Sequence, residues 1–401
     1  MNKSTKPAET VRVFLSFALI PLSGFATDIY LPSLPSMTKE LHVSGTAIQF
    51  TLVSFMIAYG AGQFVVGSLI DSFGRFRLGI ASMILFSMAS FAIALSKDIG
   101  LINAMRIVQG VTAALVVVSK RAYFLDTYQG SRLTNYVSLF SIAWSAAPII
   151  APFAGGYLQS AFGWTSNFYL LGFYTIVLLI IELIWGRESL THFLPFKARD
   201  IAGAYAHMLK TTDFSIGLII ISLNYAFLVV YNMSSPFIIE HVFSMSAIVT
   251  GYCSLISGIS FMTGGILSKL MIKKDFLKKI STGIFLQICI SGIMIIVTGY
   301  ATNIYLLVGF TAGIHLLSGF IFNNAFAYCL GRFTGHAGIS SGITGGALFT
   351  LTSLFSYGLV SVLPITSQLV LGVTYLIFSI TTFLFLLFFS RARRALLVPT
   401  Q

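Results

Sequence analysis

Long apolar runs separated by short polar turns organise this chain. A helix needs about 20 apolar residues to cross the hydrocarbon core of a bilayer. Twelve stretches meet that length: 11–31, 46–70, 76–96, 99–120, 134–158, 166–186, 213–236, 246–269, 279–299, 303–330, 340–362 and 367–390. The tenth is unusually long, and the eleventh is rich in Gly, Ser and Thr. The longest polar interval, 187–212, separates six spans from six. The pattern predicts an all-α polytopic membrane protein with a first bundle over 1–186, a linker over 187–212 and a second bundle over 213–401.

One apolar run is interrupted by a charge. The stretch Gly24–Pro35 reads GFATDIYLPSLP, with Asp28 inside the run and Pro32 and Pro35 close behind. A carboxylate at membrane depth costs ~2.5–3.5 kcal/mol on the lenient insertion scales, and such a residue is a functional candidate by default. The alternative is that Asp28 sits near a helix end and reaches interfacial water. A second charge, Arg106, lies about seven residues into the fourth span, too deep to reach the interface easily.

Composition agrees with the span pattern. Hydrophobic residues make up 56% of the chain and charged residues 9%, against roughly 25% charged in soluble domains. Mean hydropathy is +0.90, which excludes a water-soluble fold. The net charge of +12 does not indicate nucleic acid, because the cations fall in loops on one side. Of 24 Lys and Arg residues, all but Lys39, Lys97 and Arg106 lie on the side of the amino terminus. The positive-inside rule then places both termini in the cytoplasm. Lys3, Lys6 and Arg12 before an apolar core mimic a signal peptide, but the run continues into the Asp28 segment and reads as an uncleaved first helix. Cys253, Cys289 and Cys329 lie in apolar runs with no CxxC pair or nearby His, so they imply neither a disulfide framework nor a metal site.

The two halves echo one another. Tyr30, Ser33 and Pro35 match Tyr231, Ser234 and Pro236 at an offset of 201. Gly67, Leu69, Asp71 and Arg75 align with Gly265, Leu267, Lys269 and Lys273 at an offset of 198. Internal repeats of this kind are frequent in transporters.

The turn between the second and third spans reads GSLIDSFGRFRL. Gly67 allows close helix approach, Gly74 a tight turn with positive φ, and Asp71 a pairing with a cation or a facing helix N-terminus. Arg75 and Arg77 suit an anionic leaflet. A plain basic loop is the alternative. The pattern G-x-L-x-D-x-x-G-R-x-R closely resembles the signature loop of the major facilitator superfamily. Arg106, Gln109 and Gly110 are similar to the R-x-x-Q-G element of its proton antiporters, and APIIAPFAGG (147–156) to their fifth-helix element. TDIYLPSLP (27–35) and RAYFLD (121–126) resemble the Bcr/CflA drug-resistance branch. In the second half Lys269 replaces the Asp71 position and no glycine matches Gly74, so an acidic latch is not expected there.

The resemblance implies the major facilitator fold, two pseudo-symmetric six-helix bundles, and export of drug-like amphiphiles in exchange for protons. Export of an endogenous metabolite or siderophore is the alternative within transport. A carboxylate in a partly dehydrated cavity is poised between its protonated and ionised forms and can exchange a proton for substrate. Asp28 is therefore the expected proton-coupling site, and by resemblance Arg106 belongs to its relay. Pro148 and Pro152 bend the fifth helix, Gly155 and Gly156 permit close packing, and together they suit a hinge or seal. Tyr30, Tyr59, Asn135, Trp144, Asn224, Tyr231 and Asn232 are candidate walls of a substrate cavity. Glu182, Glu240 and His241 read as interfacial, and His315 with Asn323 and Asn324 as structural hydrogen-bonding groups. Val229 aligns with Asp28, so proton coupling is expected in the first half. No cofactor is expected, the proton gradient being the energy source. The expected partners are small molecules, protons and the bilayer, with a monomeric protein. An embedded enzyme is a poor fit, since His336 with Ser340 and Ser341 has no accompanying acid, and no loop is long enough for a sensor's signalling domain.

Overall fold

The computed structural model describes residues 6–190, 193, 198–333 and 337–397; several side chains in the fifth helix, including that of Trp144, lie outside the description, as does His336. The described residues are overwhelmingly helical. Backbone polar groups in lipid must be satisfied within the segment itself, and long helices do so. Eleven helical segments among the described residues are long and apolar enough to span a membrane: Pro7–Leu41, Gly45–Phe73, Arg75–Leu95, Ile99–Thr127, Thr165–Trp185, Thr212–Val242, Ala247–Leu270, Phe276–Thr298, Ile304–Arg332, Ile339–Val362 and Gln368–Arg393. The helix Gly130–Phe162, 33 residues long, occupies the place of the expected fifth span. All twelve expected spans are thus helices, numbered here first to twelfth in chain order.

The chain divides into two compact units, Met1–Lys197 and Ala198–Gln401. The interval expected as a plain linker contains an amphipathic helix, Ala198–Lys210, which packs on the seventh and eleventh spans with Met208 buried.

The first span departs most from expectation. It was expected to end at residue 31 but runs to Leu41. Pro32 and Pro35 sit in the first positions of a 3-10 turn, Leu31–Ser33, and of the helix Leu34–Leu41. An N–H is not needed there, so each proline starts a helical turn rather than ending the span. Asp28 closes the preceding helix, Leu22–Asp28, and so lies well inside a 35-residue span. The helix-end alternative for this carboxylate falls. The seventh span breaks at a similar place: its α-helix ends at Phe237, just after Pro236, and continues as a π-turn, Ile238–Val242.

Within each unit the interior holds polar side chains beside apolar ones such as Phe55 and Phe227, and many large apolar side chains lie outside. Arg106, Gln109, Asn167, Gln287 and His315 are fully buried, whereas Leu95, Phe162, Phe285 and Ile296 are exposed. Lipid tails are as apolar as leucine, so hydrophobicity does not separate inside from outside, and association relies on close packing and hydrogen bonds. Corresponding helix pairs show this. A Cβ on Gly110 of the fourth span would lie 2.5 Å from the Phe55 carbonyl oxygen of the second. One on Gly319 of the tenth would lie 1.9 Å from the Phe261 carbonyl oxygen of the eighth.

Candidate functional site

The break in the first span creates the site. Past Asp28 the backbone turns, and the Ala26 carbonyl is available to a side chain. Arg106 takes it: Nη1 donates to Ala26 O at 2.9 Å and to Gln109 Oε1 at 2.9 Å, while Nε donates to Thr51 O at 3.2 Å. The guanidinium carbon lies 4.8 Å from the Tyr30 ring centroid and 4.4 Å from that of Phe55. Gln109 continues the network by donating from Nε2 to Ser90 Oγ at 2.8 Å. Tyr30 and Thr51 share a hydroxyl hydrogen bond of 2.9 Å. This buried cation thus ties together the first four spans.

Arg106 is balanced by carbonyls and aromatic faces rather than by a carboxylate. Among the described residues Asp28 is 6% exposed and forms no ion pair or hydrogen bond, although Arg106 is anchored two residues away at Ala26 and stacks on Tyr30 two residues beyond. Arg106 Nη2 likewise has no partner among the described residues. An uncommitted carboxylate and an uncommitted cationic donor thus belong to one buried cluster.

The fifth span holds the broken segment. A Cβ on Gly155 would lie 1.6 Å from the Ile29 carbonyl oxygen. A Cβ on Gly24 would meet the Ala147 Cβ at 2.6 Å and the Pro148 Cδ at 3.3 Å. The fifth-helix element therefore packs on the first span on both sides of Asp28. Pro148 and Pro152 lie inside that helix, and Pro152 and Gly156 are buried. The sixth span adds Asn167 Nδ2 donating to Ser33 Oγ at 2.9 Å.

The turn between the second and third spans is a separate cluster. Gly74 has φ of 91°, a conformation that favours glycine. Arg75 pairs with Asp71 at 3.1 Å and with Asp126 of the RAYFLD stretch, and donates to the Ala122 carbonyl at 2.8 Å. Arg77 is exposed. Glu188 caps the third span, accepting from Arg75 N at 3.1 Å and Phe76 N at 3.0 Å. Sequence reasoning missed Glu188, which has no motif; its only signal was a carboxylate just beyond the sixth span. The close approach expected at Gly67 is absent among the described residues, since a Cβ there would meet none of them within 4 Å. Glu182, expected at the interface, is 5% exposed and paired with Lys120 at 2.6 Å.

The candidate cavity residues separate. Tyr30 is engaged as above, and Asn224 donates to Ile220 O at 2.9 Å. Tyr59 is buried and Asn135 is exposed. Tyr231 Oη and Asn232 Oδ1 are buried without a partner among the described residues. In the second unit, His315 Nδ1 meets Ser257 Oγ at 2.6 Å, and Nε2 meets the Phe227 carbonyl at 3.3 Å and Tyr375 Oη at 3.1 Å. The carbonyl can only accept, so this arrangement puts the proton on Nε2 and has Ser257 donate to Nδ1. Sequence reasoning also missed Asp213, 1% exposed at the start of the seventh span. It accepts from Arg332 Nε at 2.7 Å and Tyr328 Oη at 2.5 Å.

The sequence profile of the Major Facilitator Superfamily matches residues 16–357. The chain belongs to this family: it is a multi-pass membrane transporter of small molecules and not an enzyme. Among curated relatives, it is 25% identical to the multidrug resistance protein MdtL of Salmonella paratyphi C, over 88% of each chain. It is 32% identical to a bicyclomycin resistance protein homolog of Haemophilus influenzae, over 43% of this chain and 42% of that one. Among solved structures, a D-xylose-proton symporter superposes with a TM-score of 0.70 at 14% identity, covering 94% of this chain and 98% of the symporter. A bacterial homologue of the human lysosomal transporter Spinster gives 0.71 at 13%, covering 98% of both chains. At such identities the structures speak for the fold alone.

Proposed function

We propose that this protein exports small amphiphilic organic compounds from the bacterial cytoplasm across the inner membrane in exchange for protons, with both termini cytoplasmic. The observation that carries this reading is Asp28, a buried mid-span carboxylate without an ion pair among the described residues, beside an arginine held by carbonyl groups. A carboxylate locked in a salt bridge stays ionised. An uncommitted one is free to take up a proton in one state and release it in another, and the free Nη2 of Arg106 offers the ionised form a partner. No cofactor takes part. Each elementary charge crossing 100 mV is worth ~2.3 kcal/mol, which is the driving force for export. The names of the relatives, multidrug and bicyclomycin resistance, support drug-like amphiphiles as the substrate class. The alternating exposure of a midplane site is the mechanism this family architecture supports.

The test is an imposed pH gradient across membrane vesicles, with substrates drawn from a compound screen in a strain lacking other exporters. Wild-type protein accumulates substrate in inverted vesicles as the gradient is applied. Asp28→Asn retains substrate binding and loses gradient-driven accumulation; accumulation at the wild-type rate refutes the coupling role. Metabolite profiling of the same strain pair separates drug export from export of an endogenous compound or siderophore.

A further inference from the structure

The end of the first unit that carries the second–third turn holds a cleft that proton coupling does not use. It is lined by Arg12, Arg75, Ser119, Lys120, Glu182 and Arg187, with Tyr123 and Phe76 beside them. Its enclosed part, about 20 Å³, has room for one or two oxygen atoms and not for a whole molecule.

The charges in this cleft are not balanced. Lys120 is neutralised by Glu182 at 2.6 Å, and Arg75 by Asp71 and Asp126. Arg12 and Arg187 form no ion pair among the described residues. Arg12 is nonetheless fixed, because its Nε donates to the Trp185 carbonyl at 2.8 Å. Two further donors lining the cleft have no partner among the described residues: the Ser119 hydroxyl, 3% exposed, and Arg75 Nε. A buried donor is normally hydrogen-bonded. Two uncompensated guanidinium groups together with two orphaned donors make a receptor for oxygen anions.

The donors come from the first span, the start of the third, the fourth, and the segment after the sixth. A tetrahedral phosphate presents oxygens in several directions, whereas a carboxylate presents two in one plane. Guanidinium forks match phosphate oxygens in pairs. We propose that this cleft binds a phosphate group, inserting one or two of its oxygens toward Ser119 and Arg75 with the remainder held by Arg12 and Arg187. The group is supplied either by the headgroup of an acidic phospholipid in the adjoining leaflet or by free phosphate. The basic residues of this end match the leaflet that carries acidic lipid.

The test uses full-length protein in detergent. Native mass spectrometry counts phosphatidylglycerol retained by wild type, by Arg12→Gln/Arg187→Gln and by Ser119→Ala. Thermal melting is followed in parallel against inorganic phosphate. A lipid source predicts at least tenfold weaker phosphatidylglycerol retention in the double variant and about threefold weaker in Ser119→Ala. A free-phosphate source predicts a saturable phosphate-induced rise in melting temperature in wild type that the double variant lacks, with lipid retention unchanged. If the double variant does not fold, Arg187→Gln and Ser119→Ala serve instead, since Arg187 is exposed. Equal lipid retention and an equal phosphate response in wild type and variants overturn the proposal.

Discussion

The two units share an architecture and differ in how they handle interior charge. In the first, Arg106 is buried completely and bonded to two carbonyls and an amide, with Asp28 left free among the described residues. In the second, the position matching Asp28 is Val229, and the fully buried titratable imidazole, His315, has both ring nitrogens engaged. The buried carboxylate there, Asp213, stands at a span terminus and is bound to Arg332 and Tyr328. The tyrosines of the repeat differ in the opposite sense: Tyr30 Oη is bonded to Thr51, whereas Tyr231 Oη has no partner among the described residues. A duplicated fold conserves helix order and packing more readily than it conserves a buried charge. A charge needs its own partners, and losing any one of them is costly.

The largest effect that tests this contrast comes from Asp28. Asp28→Asn abolishes pH-gradient-driven transport, while Val229→Asp does not restore it, because among the described residues the second unit buries no arginine as the first buries Arg106. Transport recovered by the second change would show that the two units are chemically interchangeable.

Next is Arg106→Lys. An ammonium keeps the charge but cannot span Ala26 O, Thr51 O and Gln109 in the same plane. Transport is expected to fall at least tenfold, with a loss of about 3 kcal/mol in stability from the broken buried network. Transport and melting temperature near wild-type values would reduce the site to a simple charge requirement.

Gly155→Ala follows. The added methyl would lie 1.6 Å from the Ile29 carbonyl oxygen, so the fifth span must move away from the Asp28 segment. A loss of about 1–3 kcal/mol is expected, as for other overpacked sites, together with proton leak measured by a pH-sensitive dye in proteoliposomes. Gly67→Ala is the control, since none of the described residues lies within 4 Å and thermal melting should change little.

The smallest functional effect is expected from His315→Gln. It removes bonds to Ser257, Phe227 and Tyr375 and lowers the melting temperature, but leaves the pH profile of transport where it was. A shifted profile would mean that proton coupling extends into the second unit.

The course of the first span shows where sequence reading succeeds and where it stops. Hydropathy found the span but ended it at residue 31, whereas the helical segment runs on through Pro32 and Pro35 to Leu41. Whether a proline ends a helix or begins a turn depends on which backbone N–H groups are needed, and that is decided by the fold around it. The capping role of Glu188 had no motif to announce it because a carboxylate finds a helix N-terminus in space, here 113 residues away. Asp213 went unnoticed for the same reason, its arginine being 119 residues distant.

The sequence by itself determined the twelve spans, the division into two sets of six, the family motifs and the identity of two mid-span charges, Asp28 and Arg106. These are consequences of local composition: a bilayer imposes a length and polarity on each segment independently of its neighbours. Only the tertiary structure decided that Asp28 lies in mid-span without an ion pair among the described residues, that Arg106 is held by carbonyls, and that the fifth span packs around the broken first. A buried polar group must find its partner on whichever helix crosses nearby, and that crossing is a property of the packed bundle, set by close approaches such as Gly155 on Ile29.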